Sequence, residues 1–394
     1  METSPPQHGM RSGKILFADQ LRAVAALSVV IVHLLGVYWA ARDVVARHIA
    51  APVLQGPSAK SLDAISYAWF NFGPFGVSLF FLISGFVIPF SVMQSTRPRF
   101  LLARALRIYP TYVVCLACGL AAIWLSGRYW GQAFPWGWQQ VVANATLLQS
   151  IAAVESIDMV NWSLSIEIKF YLFVCLAAAW IRNGRAVALM AAAVALMAAI
   201  LVQRHLLPES WQQLNVFGFP VHLVFVAHDL LFLPYMLVGT MFAFHYRGKM
   251  GTGMLAASVA LLLAAFAGTW THTVLKEQFP AVPVNYLYAV AVFGAAYAMR
   301  DRFRNIAPLD WLASVSYPLY ALHSVIGYAT IRFLTANGVG YYLAVGIALT
   351  LILVVAYLIH RAVELPTQAL GKRLARNARP AGSAAKPAMA VTSD

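Results

Sequence analysis

Charge is scarce in this 394-residue chain: Asp, Glu, Lys and Arg together make up 11% of it, and only 14 residues are acidic. A soluble domain carries about a quarter charged residues, so a water-soluble globule is excluded. Cysteine is scarce too. Cys115, Cys118 and Cys175 all fall in apolar stretches, which excludes a secreted disulfide framework, and Cys115-x-x-Cys118 reads as small buried helix residues rather than a redox pair. There is no nucleotide P-loop, no zinc-ligand spacing and no fixed-period repeat, so neither a metal ion nor a repeat architecture is expected. The net charge of +14 has no basic face or folded basic domain behind it, and nucleic acid is not an expected partner.

What fills the chain instead is apolar sequence, 61% of all residues. It falls into ten runs, at about 15–40, 75–93, 108–125, 161–181, 186–202, 226–245, 252–271, 282–299, 311–333 and 341–359. Each is near the roughly 20 residues that a helix needs to cross a bilayer. The expected fold is therefore all-α: a polytopic membrane bundle of about ten helices. The first run is too long for a signal peptide, and Arg22 and His33 inside it argue for a retained span.

The basic residues test that count. With the N-terminus inside, the inner loops and tail collect nineteen of the 28 Lys and Arg, among them Arg97, Arg99, Arg104, Arg107, Arg182, Arg185, Arg300, Arg302 and Arg304. The outer side holds six: Arg42, Arg47, Lys60, Arg128, Arg204 and Lys276. That asymmetry fits ten spans with both termini cytoplasmic. Residues 1–13 read as a polar cytoplasmic segment, 14–373 as the membrane-embedded domain, and 374–394 as a disordered tail rich in Ala, Pro, Arg and Lys. Trp130, Trp136 and Trp138 place the loop after the third run at the membrane–water interface.

Four constellations could carry chemistry. Arg22 and His33 lie eleven positions apart in the first run, about three helical turns, and so share one helix face with Asp19 one turn before Arg22. Ionisable groups in such a run mark a functional site by default, and a neutral histidine is suited to general-base work. Arg104 and Arg107, joined by Arg97 and Arg99, are spaced to grip one anion, such as the phosphates of a donor. Glu167, with Ser163 and Tyr171 one turn to either side, reads as the one carboxylate well inside a span; His33 is its expected partner and Lys169 the competing one. Ser316, Tyr320 and His323 share a face of a Pro318-containing helix. His222, His228, His245, His272 and His360 fall near span ends, where solvent or headgroups are the expected neighbours.

Six segments in order make the chain resemble the acyltransferase 3 family of bacterial integral-membrane O-acyltransferases. They are Asp19-Gln-Leu-Arg22 with His33, Phe80-Phe-Leu-Ile-Ser-Gly-Phe86, Arg104-x-x-Arg107-Ile-Tyr-Pro110, Trp162-Ser-Leu-Ser-Ile-Glu167, Ser316-Tyr-Pro-Leu-Tyr-Ala-Leu-His323 and Glu364-Leu-Pro366. Gln20 departs from the family opening, which has glycine there. The resemblance implies transfer of an acyl group, commonly acetyl, from cytoplasmic acyl-CoA to a hydroxyl of a surface glycan, lipid-linked glycan or oligosaccharide, in the bacterial cytoplasmic (inner) membrane. It implies no permanently bound cofactor, with acetyl-CoA or another acyl-CoA as donor substrate. Its motifs place catalysis on His33, Glu167 and Arg22 and donor binding on Arg104 and Arg107, with Asp19, Trp162, Ser163, Tyr320 and His323 in support. The alternative is a proton-coupled transporter or flippase that uses the same intramembrane charges, although no inverted repeat is visible.

Overall fold

Backbone polar groups in hydrocarbon must be satisfied within their own segment, and nearly every apolar run accordingly forms a helix. The computed structural model describes residues 15–216 and 219–376, so the expected segment at 1–13 and most of the tail lie outside the described residues. In chain order the helices are α1 (Leu16–Ala40), α2 (Arg42–His48), α3 (Lys60–Ile65), α4 (Phe72–Met93), α5 (Arg97–Trp130), α6 (Trp138–Ala145), α7 (Trp162–Leu176) and α8 (Ala178–Arg182). They continue with α9 (Ala186–Leu206), α10 (Leu223–Tyr246), α11 (Thr252–Trp270), α12 (Pro283–Ala298), α13 (Ala307–Ala336), α14 (Tyr341–Ile359) and α15 (Leu365–Arg376). The short antiparallel strands β1 (Gln213–Val216) and β2 (Phe219–His222) form a hairpin between α9 and α10. The chain is an all-α, multi-pass membrane protein.

Among the described residues, seven helical stretches are long and apolar enough to cross a bilayer: α1, α4, α5, α9, α10, α11 and the continuous α14–α15 stretch, Tyr341–Leu374. Three expected spans fall short of that standard, each for a visible reason. α7 carries Ser163, Ser165, Glu167 and Lys169 and ends at Leu176 before α8 resumes; α12 is only 16 residues long. α13, at 30 residues, is long enough but is diluted by Ser314, Ser316, Tyr317, Tyr320, His323 and Ser324.

α1 is packed between α4 and α13. Its small buried residues, Ala18, Ala23, Ala25, Ala26 and Ser28, allow that close approach. Gln20 is not a misfit: its Nε2 donates to Arg304 O at 2.7 Å and to Asp310 Oδ1 at 3.1 Å, tying α1 to the start of α13. α4 in turn packs on α10 through two glycines. A methyl group on Gly85 would lie 1.8 Å from Met236 O, and one on Gly239 would lie 2.2 Å from Leu82 O, so the two backbones touch where no other residue fits.

α5 lies against α13, and α15 returns along the start of α5. Two of the basic residues have a structural use at helix ends. Arg182 donates to Ser95 O at 2.7 Å and Arg97 donates to Leu176 O at 3.1 Å, so these two cations cap the carbonyl ends of α4 and α7. The helix α15 runs on to Arg376, so residues 374–376 of the expected tail are helical.

Candidate active site

α1 stops being a regular α-helix at the position that matters. Val32–Val37 form a π-turn, a form that recurs at functional sites, and His33 is its second residue. His33 Nδ1 and the Tyr328 hydroxyl of α13 are 2.6 Å apart, and His323 stands edge-on to His33 with ring centroids 4.8 Å apart. His323 is fully buried. Its Nδ1–H donates to Tyr320 O at 2.7 Å, which leaves Nε2 a bare acceptor with no partner among the described residues.

Two cavities lie along α1. The larger, about 420 Å³, is lined by His33 together with Trp162, His228, Phe232, Trp270 and Tyr286. The smaller, about 70 Å³, is lined by Arg22, Ser84, Arg107, Glu167, Tyr171 and Tyr317 among others. Val77 and Tyr320 line both. Tyr320 is thus the partition, and it is fixed: its hydroxyl lies 2.7 Å from Ser163 Oγ and donates to Val160 O at 3.2 Å, while its ring packs on Phe80.

The smaller cavity carries an excess of positive charge. Arg22 is held by Asp19 across 2.8 Å. Arg107 engages no hydrogen-bond acceptor among the described residues and turns to the cavity. Arg104 is packed instead: it donates to Ser91 Oγ at 3.0 Å and lies over the rings of Phe100 and Tyr171, with its Nε buried and unpartnered. The expected side-by-side grip of Arg104 and Arg107 becomes a division of labour, with Arg107 facing the cavity and Arg104 buttressing Tyr171.

Glu167 stands apart from both of its expected partners. Ser84 Oγ donates to its Oε1 at 2.8 Å and Tyr171 Oη at 2.6 Å, and it lines the smaller cavity while His33 lines the larger. The expected Glu167–His33 contact is therefore corrected; Ser84 of α4 is what reaches the carboxylate. Lys169 also turns elsewhere, to Asp229 Oδ2 at 2.7 Å. Asp229 is a fully buried carboxylate inside α10, so Glu167 is not alone among carboxylates in the spans. Its neighbour His228 is tied to that carboxylate: Nδ1 lies 3.0 Å from Asp229 Oδ1.

Asp229 was visible in principle, as an acid inside an apolar run. Nothing in the sequence marks Tyr328, one of many apolar-run tyrosines. Of the remaining expected residues, Trp162 packs on Phe81 and Phe232 in the wall of the larger cavity, and Ser316 lines the smaller one. Among the described residues no cluster of three or more His, Cys, Asp or Glu could hold a metal ion.

An anion-attracting chamber and a histidine-bearing chamber that meet at one tyrosine suit a two-substrate group transfer. Comparison with the curated proteins and with the solved structures found no match. The model of the acyltransferase domain of the acyltransferase 3 family matches residues 15–361, nearly the whole described chain, and the protein belongs to that family of acyltransferases.

Proposed function

We propose that the protein transfers an acyl group, acetyl in the first instance, from acyl-CoA to a hydroxyl of a surface or lipid-linked carbohydrate. It does so in a bacterial cytoplasmic membrane, through ten crossing helices with both termini inside. The observation that carries this reading is the pair of cavities meeting at Val77 and Tyr320. Basic residues at the inner end of the bundle draw the donor's phosphates, and Arg22 and Arg107 meet the thioester end in the smaller chamber. The acceptor sugar occupies the larger one.

Nδ1 of His33 faces the Tyr328 hydroxyl, which can accept its proton, and in that tautomer Nε2 is a bare lone pair. That nitrogen takes the hydroxyl proton as the acceptor oxygen attacks the thioester carbonyl. The C–S bond breaks, the CoA thiolate leaves, and the proton on His33 is returned to it. Glu167, clamped by Ser84 and Tyr171, acts on the donor side by setting the field around Arg107 rather than by orienting His33.

Equilibrium binding of acetyl-CoA separates these roles. Arg22→Ala and Arg107→Ala each raise the donor Kd by about tenfold, the loss of one charge-assisted contact, while His33→Ala binds as the wild type does. Unchanged donor affinity in the Arg22→Ala/Arg107→Ala double variant would contradict the assignment.

A further inference from the structure

A second histidine opens onto the larger cavity. His228, on α10, has its Nδ1 3.0 Å from Asp229 Oδ1, and a carboxylate can only accept; the proton of the neutral ring is therefore on Nδ1 and Nε2 is a bare lone pair. Nε2 has no hydrogen-bond partner among the described residues and His228 lines the cavity, so this edge of the ring is given to whatever the cavity holds.

The support behind His228 is built to keep it so. Asp229 is fully buried, and its Oδ2 receives Lys169 Nζ at 2.7 Å together with the hydroxyls of Ser150 and Ser165. Lys169 and the two serines all reach Oδ2, and His228 Nδ1–H is what Oδ1 receives among the described residues. The histidine adds a third ionisable group whose outer edge the fold does not use, and such a group inside a membrane protein calls for a ligand. Phe232 packs edge-on against the imidazole at 5.6 Å between centroids and limits its rotation.

We infer that His228 is an acceptor-binding residue: its Nε2 accepts a hydrogen bond from one hydroxyl of the acceptor while a second hydroxyl is presented to His33. Asp229 is the positioning residue that fixes the tautomer, and Lys169 holds Asp229 from its other oxygen. The acceptor class follows: a molecule with at least two hydroxyls on a rigid frame, held by one and acylated at another. This inference rests on the acyltransferase reading above.

The test uses purified full-length protein in detergent, radiolabelled acetyl-CoA as donor and a graded glycolipid extract of the producing cells as acceptor. His228→Ala raises the apparent acceptor KM by about tenfold, one lost hydrogen bond in a desolvated site, and leaves the acetyl-CoA KM unchanged. Asp229→Asn moves the same parameter in the same direction. His228→Gln, whose amide oxygen can accept at a similar reach, recovers part of the loss and carries the test if the alanine variant does not fold. An unchanged acceptor KM in His228→Ala and His228→Gln overturns the inference, as does a fall in acetyl-CoA affinity that accompanies every variant, which would mark a structural role. Absence of transfer by the wild type contradicts the acyltransferase reading instead.

Discussion

At the scale of single residues, the site is decided by which nitrogen of each histidine is already engaged. His323 spends Nδ1–H on a backbone carbonyl, His228 spends it on Asp229, and His33 meets a tyrosine hydroxyl, the one partner of the three that can both donate and accept. His33 is therefore the ring whose tautomer can change during turnover. Tyr328→Phe tests this directly: kcat falls by about tenfold or more with acetyl-CoA affinity unchanged, as steady-state kinetics and equilibrium binding would report. An unchanged kcat would remove Tyr328 from the mechanism. Arg22 and His33 were legible because ionisable groups stand out in an apolar run. Tyr328 was not, because a buried tyrosine in such a run has many reasons to be there. The Glu167–His33 pairing failed because sequence separation does not tell which of two stacked cavities a side chain enters.

Among the elements, helix positions follow from hydrophobic runs, whereas the local breaks that shape the site come from packing. The interruption after Leu176 has no proline or glycine signal, and the single glycine of the π-turn at Val32–Val37, Gly36, does not tell a π-turn from a regular helix, so neither could be read ahead. The stretch 146–161 between α6 and α7 is another such element. It is held by a buried polar network: Asn161 Nδ2 donates to Tyr112 Oη and to Asn144 Oδ1, each at 2.7 Å, and Asp158 Oδ1 accepts from Val160 N at 3.0 Å and Asn161 N at 2.7 Å.

Burial pushes the Asp158 carboxyl up to about 6, against those hydrogen bonds. An unfolded aspartate titrates near about 4, so between roughly pH 4 and pH 6 the folded chain holds the extra proton. Stability from this group is then lost as pH rises through that window and is flat above it. The melting temperature in detergent should fall over this range for the wild type. Asp158→Asn, which keeps the Oδ1 acceptor and cannot titrate, should lose that part of the slope; an identical slope would contradict the role given to Asp158.

For the whole molecule, composition alone gave the class: scarce charge, long apolar runs and basic residues gathered on alternate loops leave a multi-pass helical membrane protein as the only reading. The family was legible from six short segments, and it is the fold that explains their order. α1, α4, α5, α7 and α13, which carry five of the six, each line at least one cavity, and α10, α11 and α12 complete the wall of the larger one. The cavities themselves were beyond sequence, because they depend on Tyr320 closing one chamber from the other. The most direct test of the account is transfer of label from acetyl-CoA to a glycolipid acceptor by purified wild-type and His33→Ala protein, each first shown to bind acetyl-CoA. The account predicts labelled acceptor with the wild type and a loss of about a hundredfold or more with His33→Ala at undiminished donor binding; equal transfer by the two proteins would contradict it.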